Sequence, residues 1–400
     1  MGTSTAVSQW RGRRFWRSIL IISLVLAVVV LIVQIGAAVT GLGVASAAGS
    51  IIFTLAGPYL VLAAVPAVIF GLVGLRRRPR LLAACTAVSG LAAMATGVAM
   101  VLIFMGAVDT SGGRVNVLRA LDLGRPAAAT ADAYEVYRIA DGEELSMAVF
   151  RPNNDEVSWP TLVILHGGGW NSGSNSTATS DDRWYADQGW LVLNVEYRLA
   201  TETSPTWAQA PQDVACALAW TARNADRLGV DVDRMVIAGE SAGGNLALNL
   251  AYGAATGQAT PNCSGDVPVP AGVVASYPVV DPAAAYRADT HLGTVSSRAF
   301  TSEYVGGAPQ QYPNRYTAIA SATYISPDAP PTLIIEPEHD SLIAPSTVTD
   351  FVDEAASAGV DVRLASIPFA NHAFDFGATG SMGNQARRTL TADFLEQFEK

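Results

Sequence analysis

The sequence predicts two regions: an all-α membrane segment of three transmembrane helices, followed by an α/β domain with a mostly parallel central sheet flanked by helices. Three long apolar runs within the first 108 residues indicate the membrane segment. From about residue 134 onward, short runs rich in β-branched residues alternate with segments of helical composition. The mean hydropathy is +0.28 and only 15% of the residues are charged, which is too apolar for a wholly soluble protein.

The apolar runs cover residues 18–39, 51–75 and 81–107. Each can cross the hydrocarbon core of a bilayer, which takes about 20 helical residues. We interpret them as helices because a helix satisfies its own backbone hydrogen bonds in lipid, and membrane helices tolerate prolines such as Pro58 and Pro66. The runs contain no Asp, Glu, His, Lys or Arg of the kind that marks transport or proton relay, so they are predicted to be an anchor.

Arginines flank these runs at residues 11–17 and 76–80, and such flanks stay in the cytoplasm. The N-terminus is therefore predicted to be cytoplasmic, and the domain after residue 109 extracytoplasmic. Alternatively, the first run is a signal peptide cleaved near Ala45-Ser46-Ala47, although it is long for that purpose. Either way the domain lies outside. Lys400 is the only lysine among 25 basic residues, which suggests a GC-rich bacterial genome.

All 35 acidic residues lie after residue 108. A domain this acidic repels phosphates, which excludes nucleic acid as a partner. Residues 109–133, with Ser111-Gly112-Gly113 and an Ala-rich run after Pro126, are predicted to be a linker before a catalytic domain at 134–400.

Three cysteines occur without a Cys-x-x-Cys or other metal-type spacing, so no metal site is expected. Cys85 lies in an apolar run. Cys216 and Cys263 either form one disulfide in an exported domain or remain two buried thiols.

The α/β domain is predicted to begin with an antiparallel hairpin over residues 134–150 that turns at Asp141-Gly142. Helices are predicted over residues 211–228 and 242–252. The apolar runs predicted as strands are residues 161–165, 191–195, 235–238, 272–277, 332–335 and 362–367.

The strongest functional signal is Gly239-Glu-Ser-Ala-Gly-Gly244, which lies between a predicted strand and a predicted helix. That context is typical of a nucleophile elbow, a sharp turn that holds a serine at the carboxyl edge of the sheet. The alternative is a simple Gly/Ser turn that caps a helix. The glycines make room for neighbouring backbone, and the helix N-terminus favours a developing oxyanion. Ser241 is therefore the predicted nucleophile.

A second glycine-rich motif, His166-Gly-Gly-Gly-Trp170, directly follows the strand predicted at 161–165. Consecutive glycines leave backbone N–H groups free to stabilise an oxyanion. The motif lacks the Lys-Ser/Thr ending of a P-loop and the spacing of a dinucleotide site. We predict Gly168, Gly169 and Ala242 as the oxyanion-hole donors.

A serine nucleophile needs a base, and His372 is predicted for that role because it follows the strand at 362–367. His166 belongs to the glycine-rich loop, which it is expected to brace by hydrogen bonding. His291 follows no strand and is interpreted as a lid or surface residue. His339 is adjacent to Asp340 in sequence, and adjacent side chains diverge at a strand end.

The acid is expected from the loop after the strand at 332–335, where Glu336, Glu338 and Asp340 compete. Asp340 is best placed because it lies at the far end of that loop. The order Ser241, Asp340, His372 agrees with the chain order of nucleophile-elbow enzymes.

These motifs resemble the α/β-hydrolase family, in particular the carboxylesterases and lipases similar to hormone-sensitive lipase. The resemblance covers residues 159–376 and also rests on Glu196-Tyr-Arg-Leu199, Pro211-Gln-Asp-Val214 and Asp231-Val-Asp-Arg234. It implies an α/β-hydrolase fold and a serine esterase that acts through an acyl-Ser241 intermediate without a metal or organic cofactor. Members of that branch often carry a helical cap before the sheet, whereas here the membrane spans occupy that place.

The expected substrate is a small-molecule or lipid ester, and the expected partner is the bilayer. The connection at 281–330 is predicted to form part of the pocket wall, with Trp170 and Tyr197 or Trp207 as apolar substrate contacts. One alternative is acyl transfer to a lipid or sugar hydroxyl by the same three residues. Another is a receptor with an inactive pocket, which the filled triad positions disfavour.

Overall fold

The computed structural model describes residues 3–77, 79–122, 129–154 and 156–399. Its N-terminal region consists of three long helices, α1 (Thr3–Ala38), α2 (Val44–Gly74) and α3 (Arg80–Thr110). Each is long and apolar enough to cross a membrane, which confirms the three predicted helices. The helices are longer than the apolar runs: α1 and α2 begin several residues earlier, and α3 ends three residues later.

Small residues let these three helices approach closely. A side chain at Gly71 would collide with Ala87, and one at Gly90 would collide with Ala67. A kink interrupts α2 at Ala56, where φ is −137° and ψ is 24°. Pro58 explains this kink, because proline cannot donate the backbone hydrogen bond of a regular helix.

The second region contains a mainly parallel sheet flanked by helices, as predicted. Its strands are β1 (Ala133–Ala140), β2 (Glu143–Phe150), β3 (Trp159–Leu165), β4 (Leu191–Val195), β5 (Val230–Glu240), β6 (Gly272–Ser276), β7 (His291–Leu292), β8 (Val295–Ser296), β9 (Thr332–Pro337) and β10 (Val362–Ile367). Eight of them form one sheet in the order β1-β2-β4-β3-β5-β6-β9-β10. The pairs β1–β2 and β2–β4 are antiparallel and the others are parallel. All the predicted strands are present, and β7 with β8 adds a small hairpin.

In the described part of the chain, nine α-helices accompany the strands. They are α4 (Thr179–Ala186), α5 (Gln209–Arg223), α6 (Ala225–Leu228), α7 (Ala242–Ala255), α8 (Pro282–Ala288), α9 (Ser297–Val305), α10 (Pro313–Ile319), α11 (Pro345–Ser357) and α12 (Met382–Leu395). The single helix predicted at 211–228 is two helices, because the backbone leaves helical geometry at Asn224. The helix predicted at 242–252 is α7.

Residues 114–116 of the predicted linker lie against α12. The backbone amide of Arg114 donates to Thr389 Oγ1 at 2.8 Å, and that of Asn116 donates to Gln385 Oε1 at 2.8 Å. The Gln385 amide in turn donates to the Asn116 carbonyl oxygen at 3.1 Å. Residues 123–128, which include Pro126, lie outside the described residues. Residues 114–116 are therefore a strap along α12.

A disulfide joins Cys216 on α5 to Cys263 in the loop before β6, which settles the choice left open by the sequence. The bond closes a loop with a sequence separation of 47, for which chain entropy predicts about 4 kcal/mol of stabilisation. We expect the double substitution Cys216→Ala/Cys263→Ser to lower the melting temperature, and reducing agent to lower that of the wild type alone. Thermal unfolding with and without dithiothreitol measures both effects. Equal melting temperatures in all four samples would contradict this expectation.

Candidate active site

Ser241 lies in a strained turn at the carboxyl end of the central strand β5 and immediately before α7. Its φ of 53° is unusual for a residue with a side chain, as expected of an elbow. A side chain at Gly243 would collide with the carbonyl oxygen of Leu165 on the neighbouring strand. The glycine therefore lets β3 approach the turn and leaves Ser241 at the edge of the sheet.

Three loops at that edge bring the predicted nucleophile, base and acid together. His372 Nε2 lies 2.9 Å from Ser241 Oγ, and His372 Nδ1 lies 2.6 Å from Asp340 Oδ2. The other carboxylate oxygen of Asp340 accepts the backbone amides of Leu342 and Ile343 at 2.8 Å each. All three residues are buried, with an exposed fraction of at most 8%. The geometry is that of a hydroxyl hydrogen-bonded to an imidazole which a carboxylate orients.

The other three histidines make different contacts. His166 contacts the carbonyl oxygen of Gly167 through Nδ1 at 2.8 Å and stacks on Tyr197, so it braces the glycine-rich loop. His291 is exposed on β7, and His339 packs edge-on against Phe369.

The two competing acids also differ from Asp340. Glu338 is exposed. Glu336 is buried on β9, and burial, together with the nearby charge of Asp340, raises the pKa of its carboxyl well above the ordinary value. Burial thus favours the protonated form of Glu336.

The glycine-rich loop after β3 runs past the nucleophile. Gly168 has a φ of 113°, which L side chains rarely adopt, so this position requires glycine. In the described part of the chain, no hydrogen bond uses the amide of Gly168 or Gly169 as donor. The amide of Ala242 is at the first position of α7, where no preceding turn offers an acceptor. These three amides are thus available to an oxyanion.

A cavity of about 600 Å³ lies over Ser241 and His372. Its wall includes residues 292–303, as predicted for the connection at 281–330. The apolar lining residues are Leu292, Val295, Phe300, Leu342 and Phe376. Glu303 adds a carboxylate that accepts a hydrogen bond from Asn171 Nδ2 at 2.5 Å. The sequence predicted the connection as part of the wall but not which of its residues face the cavity, because α9 carries no motif.

The aromatic residues expected to contact substrate do not line this cavity. Trp170 is fully buried and stacks on Tyr304, with ring centroids 4.3 Å apart. Tyr197 is also buried, and its hydroxyl donates to the carbonyl oxygen of His166 at 2.7 Å. Trp207 lines a separate groove beside α5. Trp170 and Tyr197 therefore support the glycine-rich loop from behind, which corrects the sequence-based interpretation.

A buried charge cluster, which the sequence did not reveal, lies beneath the elbow. Arg387 on α12 contacts Glu240, the residue before the nucleophile, at 3.2 Å and Asp375, in the loop of His372, at 2.5 Å. It also pairs with Asp181. Burial is the largest influence on both partners, so it raises the pKa of Asp375 to about 6 and lowers that of Arg387 to about 9 although they form an ion pair. One guanidinium thus joins the elbow to the histidine loop.

Asp182, on α4, gives this region a testable pH dependence. Burial raises its pKa to about 7, against partial opposition from a hydrogen bond donated by Asn194 at 2.9 Å. The folded state therefore binds this proton more tightly than the unfolded chain does. The stability that the bound proton contributes is complete below the unfolded pKa of Asp182 and falls as the pH rises through about 7. We expect Asp182→Asn to raise the melting temperature at pH 8 more than at pH 5. Equal shifts at both pH values, measured by differential scanning calorimetry, would contradict this.

Comparison with known proteins places these features in a family. The family model BD-FAE matches residues 147–354. The chain is 30% identical over 264 residues to an ethyl acetate hydrolase of Pseudomonas putida, which covers 62% of this chain and 77% of that protein. It is 30% identical over 242 residues to the probable carboxylic ester hydrolase LipM of Mycobacterium tuberculosis, which covers 60% of this chain and 53% of that protein.

Solved structures agree on the fold. The propionate-bound esterase Est2 of Thermogutta terrifontis superposes with a TM-score of 0.55 at 22% identity, covering 68% of this chain and 96% of that one. The residues that the family model matches all follow the three N-terminal helices.

Proposed function

Because the chain belongs to the BD-FAE family of α/β-hydrolase carboxylesterases, we propose that it is a membrane-anchored serine carboxylester hydrolase with Ser241, Asp340 and His372 as its catalytic triad. The observation that carries the proposal is the hydrogen-bonded series from Ser241 Oγ to His372 at 2.9 Å and from His372 to Asp340 at 2.6 Å. It lies at the floor of an apolar cavity large enough for an ester.

In the first half-reaction, Ser241 Oγ attacks the ester carbonyl carbon while His372 Nε2 accepts the hydroxyl proton. Asp340 accepts a hydrogen bond from Nδ1–H of His372, which fixes the tautomer, and its negative charge stabilises the imidazolium. The carbonyl oxygen becomes an oxyanion and receives hydrogen bonds from the amides of Gly168, Gly169 and Ala242. The tetrahedral intermediate then collapses, the alcohol leaves with the proton from His372, and an acyl-Ser241 ester remains.

In the second half-reaction, water gives a proton to His372 and attacks the acyl carbon. Collapse of the second tetrahedral intermediate returns the proton to Ser241 and releases the carboxylic acid. Two further features support this cycle. The helix N-terminus at Ala242 contributes favourable potential to each oxyanion. The ion pairs of Arg387 hold the residues next to Ser241 and His372 in place.

The proposed location is the cell membrane, with a cytoplasmic N-terminus and an extracytoplasmic catalytic domain. The arginine flanks support this orientation. The disulfide between Cys216 and Cys263 supports it independently, because disulfides persist in oxidising compartments.

Labelling with a fluorophosphonate probe tests the proposal. Full-length protein in detergent should be modified at Ser241, as located by mass spectrometry, and the same protein unfolded by heat should not. A folded protein that hydrolyses no acyl ester from acetate to palmitate and takes up no label would contradict the proposal. Adding alcohols to the assay distinguishes hydrolysis, which yields free acid, from acyl transfer, which yields a new ester.

A further inference from the structure

We propose that the cavity over Ser241 opens at the membrane surface and takes its substrate, a lipophilic long-chain ester, directly from the adjoining leaflet of the bilayer. This proposal rests on the proposed esterase function and membrane anchoring, and it adds the substrate class and the route of entry. It depends on where the surface of the bilayer crosses the three helices and on what touches them there.

The arginines mark one boundary of the hydrocarbon core. Arg17, Arg76 and Arg80 end the apolar parts of α1, α2 and α3 on the same side. A hydrocarbon core about 30 Å thick takes roughly 20 helical residues at 1.5 Å each. Counting that length from each arginine places the opposite boundary near residues 37, 56 and 100.

The catalytic domain packs against the helices at this second boundary. Ala37 and Met100 are buried in an apolar cluster that also contains Phe53 of α2 and the catalytic-domain residues Phe374 and Met382. The contacts between the helices and the domain in this cluster are apolar. The domain is therefore seated on the bilayer surface.

The loop that carries His372 makes part of this contact. Phe369, three residues before the histidine, packs edge-on against Phe53 with ring centroids 5.5 Å apart. On the other side of the histidine, a side chain at Gly377 would begin only 3.6 Å from Leu55. Both contacts lie within a few residues of the expected boundary on α2. The catalytic histidine loop thus touches the anchor at the level of the lipid surface.

Phe376, the residue before Gly377, connects the level of the lipid surface with the cavity. Phe376 lines the cavity over Ser241 and is itself 69% exposed. It therefore lies at the rim of the cavity. An exposed phenylalanine at the boundary between headgroups and acyl chains is stabilised by inserting there. Beyond the rim the wall is largely apolar, with Leu292, Val295 and Phe300. An acyl chain can therefore pass from lipid to the nucleophile along apolar surface.

The test uses full-length protein reconstituted in phosphatidylcholine vesicles. Two substrates are compared: 4-methylumbelliferyl oleate dissolved in the vesicles, and water-soluble 4-nitrophenyl acetate. We expect Phe376→Asp to lower the ratio of oleate to acetate turnover roughly 10-fold, because a charge at the rim disfavours contact with lipid. Val157→Asp is the matched control, since Val157 is 89% exposed but precedes β3 at the amino edge of the sheet. It should leave the ratio unchanged.

An unchanged ratio in Phe376→Asp would overturn the proposal. If the wild type hydrolyses neither ester, the esterase function itself fails, which is a distinguishable result. A second measurement does not depend on activity. In a Cys85→Ala background, a fluorophore attached to Phe376→Cys should be quenched by lipids carrying a nitroxide near the headgroup, whereas one attached to Val157→Cys should not. Equal quenching at the two positions would also overturn the proposal.

Discussion

Ser241→Ala should lower kcat for ester hydrolysis by roughly 10⁴- to 10⁶-fold, the range expected when the nucleophile of a serine hydrolase is removed. His372 Nε2 lies 2.9 Å from Ser241 Oγ, which is its hydrogen-bond partner among the described residues. No other hydroxyl there is available to this nitrogen. Without Oγ no acyl-enzyme can form. Oxyanion stabilisation and substrate binding then account for whatever rate remains above that of the uncatalysed reaction.

The substitution should leave the fold intact. Alanine and serine have similar backbone preferences, so the strain at a φ of 53° is the same in both. Ser357→Ala, the same chemical change at an exposed residue that ends α11, is the control and should retain full activity. Initial rates on 4-nitrophenyl butyrate and melting temperatures are measured for all three proteins. Substantial turnover by a folded Ser241→Ala protein would assign the nucleophile to another residue.

The Ser-Asp-His set could be predicted because each member follows a strand with a strong local signal. Glycines around Ser241, and the apolar strands before Asp340 and His372, fix the loops in which these residues lie. A parallel sheet then brings the carboxyl ends of β5, β9 and β10 to one edge, which is a consequence of topology rather than of further sequence information.

The charge cluster and the individual residues that face the cavity could not be predicted in the same way. Arg387 lies more than 140 residues from Glu240 in the chain, and only the docking of α12 brings the two together. Trp170 was expected to be an apolar substrate contact. Stacking on Tyr304 turns it inward, and no sequence pattern records that contact.

The contact of the strap with α12 has the same origin. The sequence predicts residues 109–133 as a linker from their Ser, Gly and Ala content. Within that segment, the backbone amides of Arg114 and Asn116 bond to side chains of α12. Long-range contacts of this kind decide whether a Gly-rich segment is free, and composition alone does not contain them.

Asp340→Asn should lower kcat by about 10⁴-fold while preserving the loop. The Asn oxygen can still accept the amides of Leu342 and Ile343, which Asp340 Oδ1 accepts at 2.8 Å. Its NH₂ group would then face His372 Nδ1, where Asp340 Oδ2 now lies at 2.6 Å. The imidazole must turn its lone pair toward that NH₂ and carry its proton on Nε2. In this tautomer it cannot accept the proton of Ser241.

Two neighbouring carboxylates make this prediction specific to Asp340. Glu338→Gln changes an exposed residue of the same loop and should leave kcat unchanged. Glu336→Gln replaces a buried carboxyl whose raised pKa favours the protonated form, so it should also preserve activity. Stopped-flow measurement of the acylation rate, with melting temperatures as a check on folding, compares the three variants. If Glu336→Gln rather than Asp340→Asn removed the activity, the acid would be Glu336, and the 2.6 Å contact between His372 and Asp340 would have only a structural role.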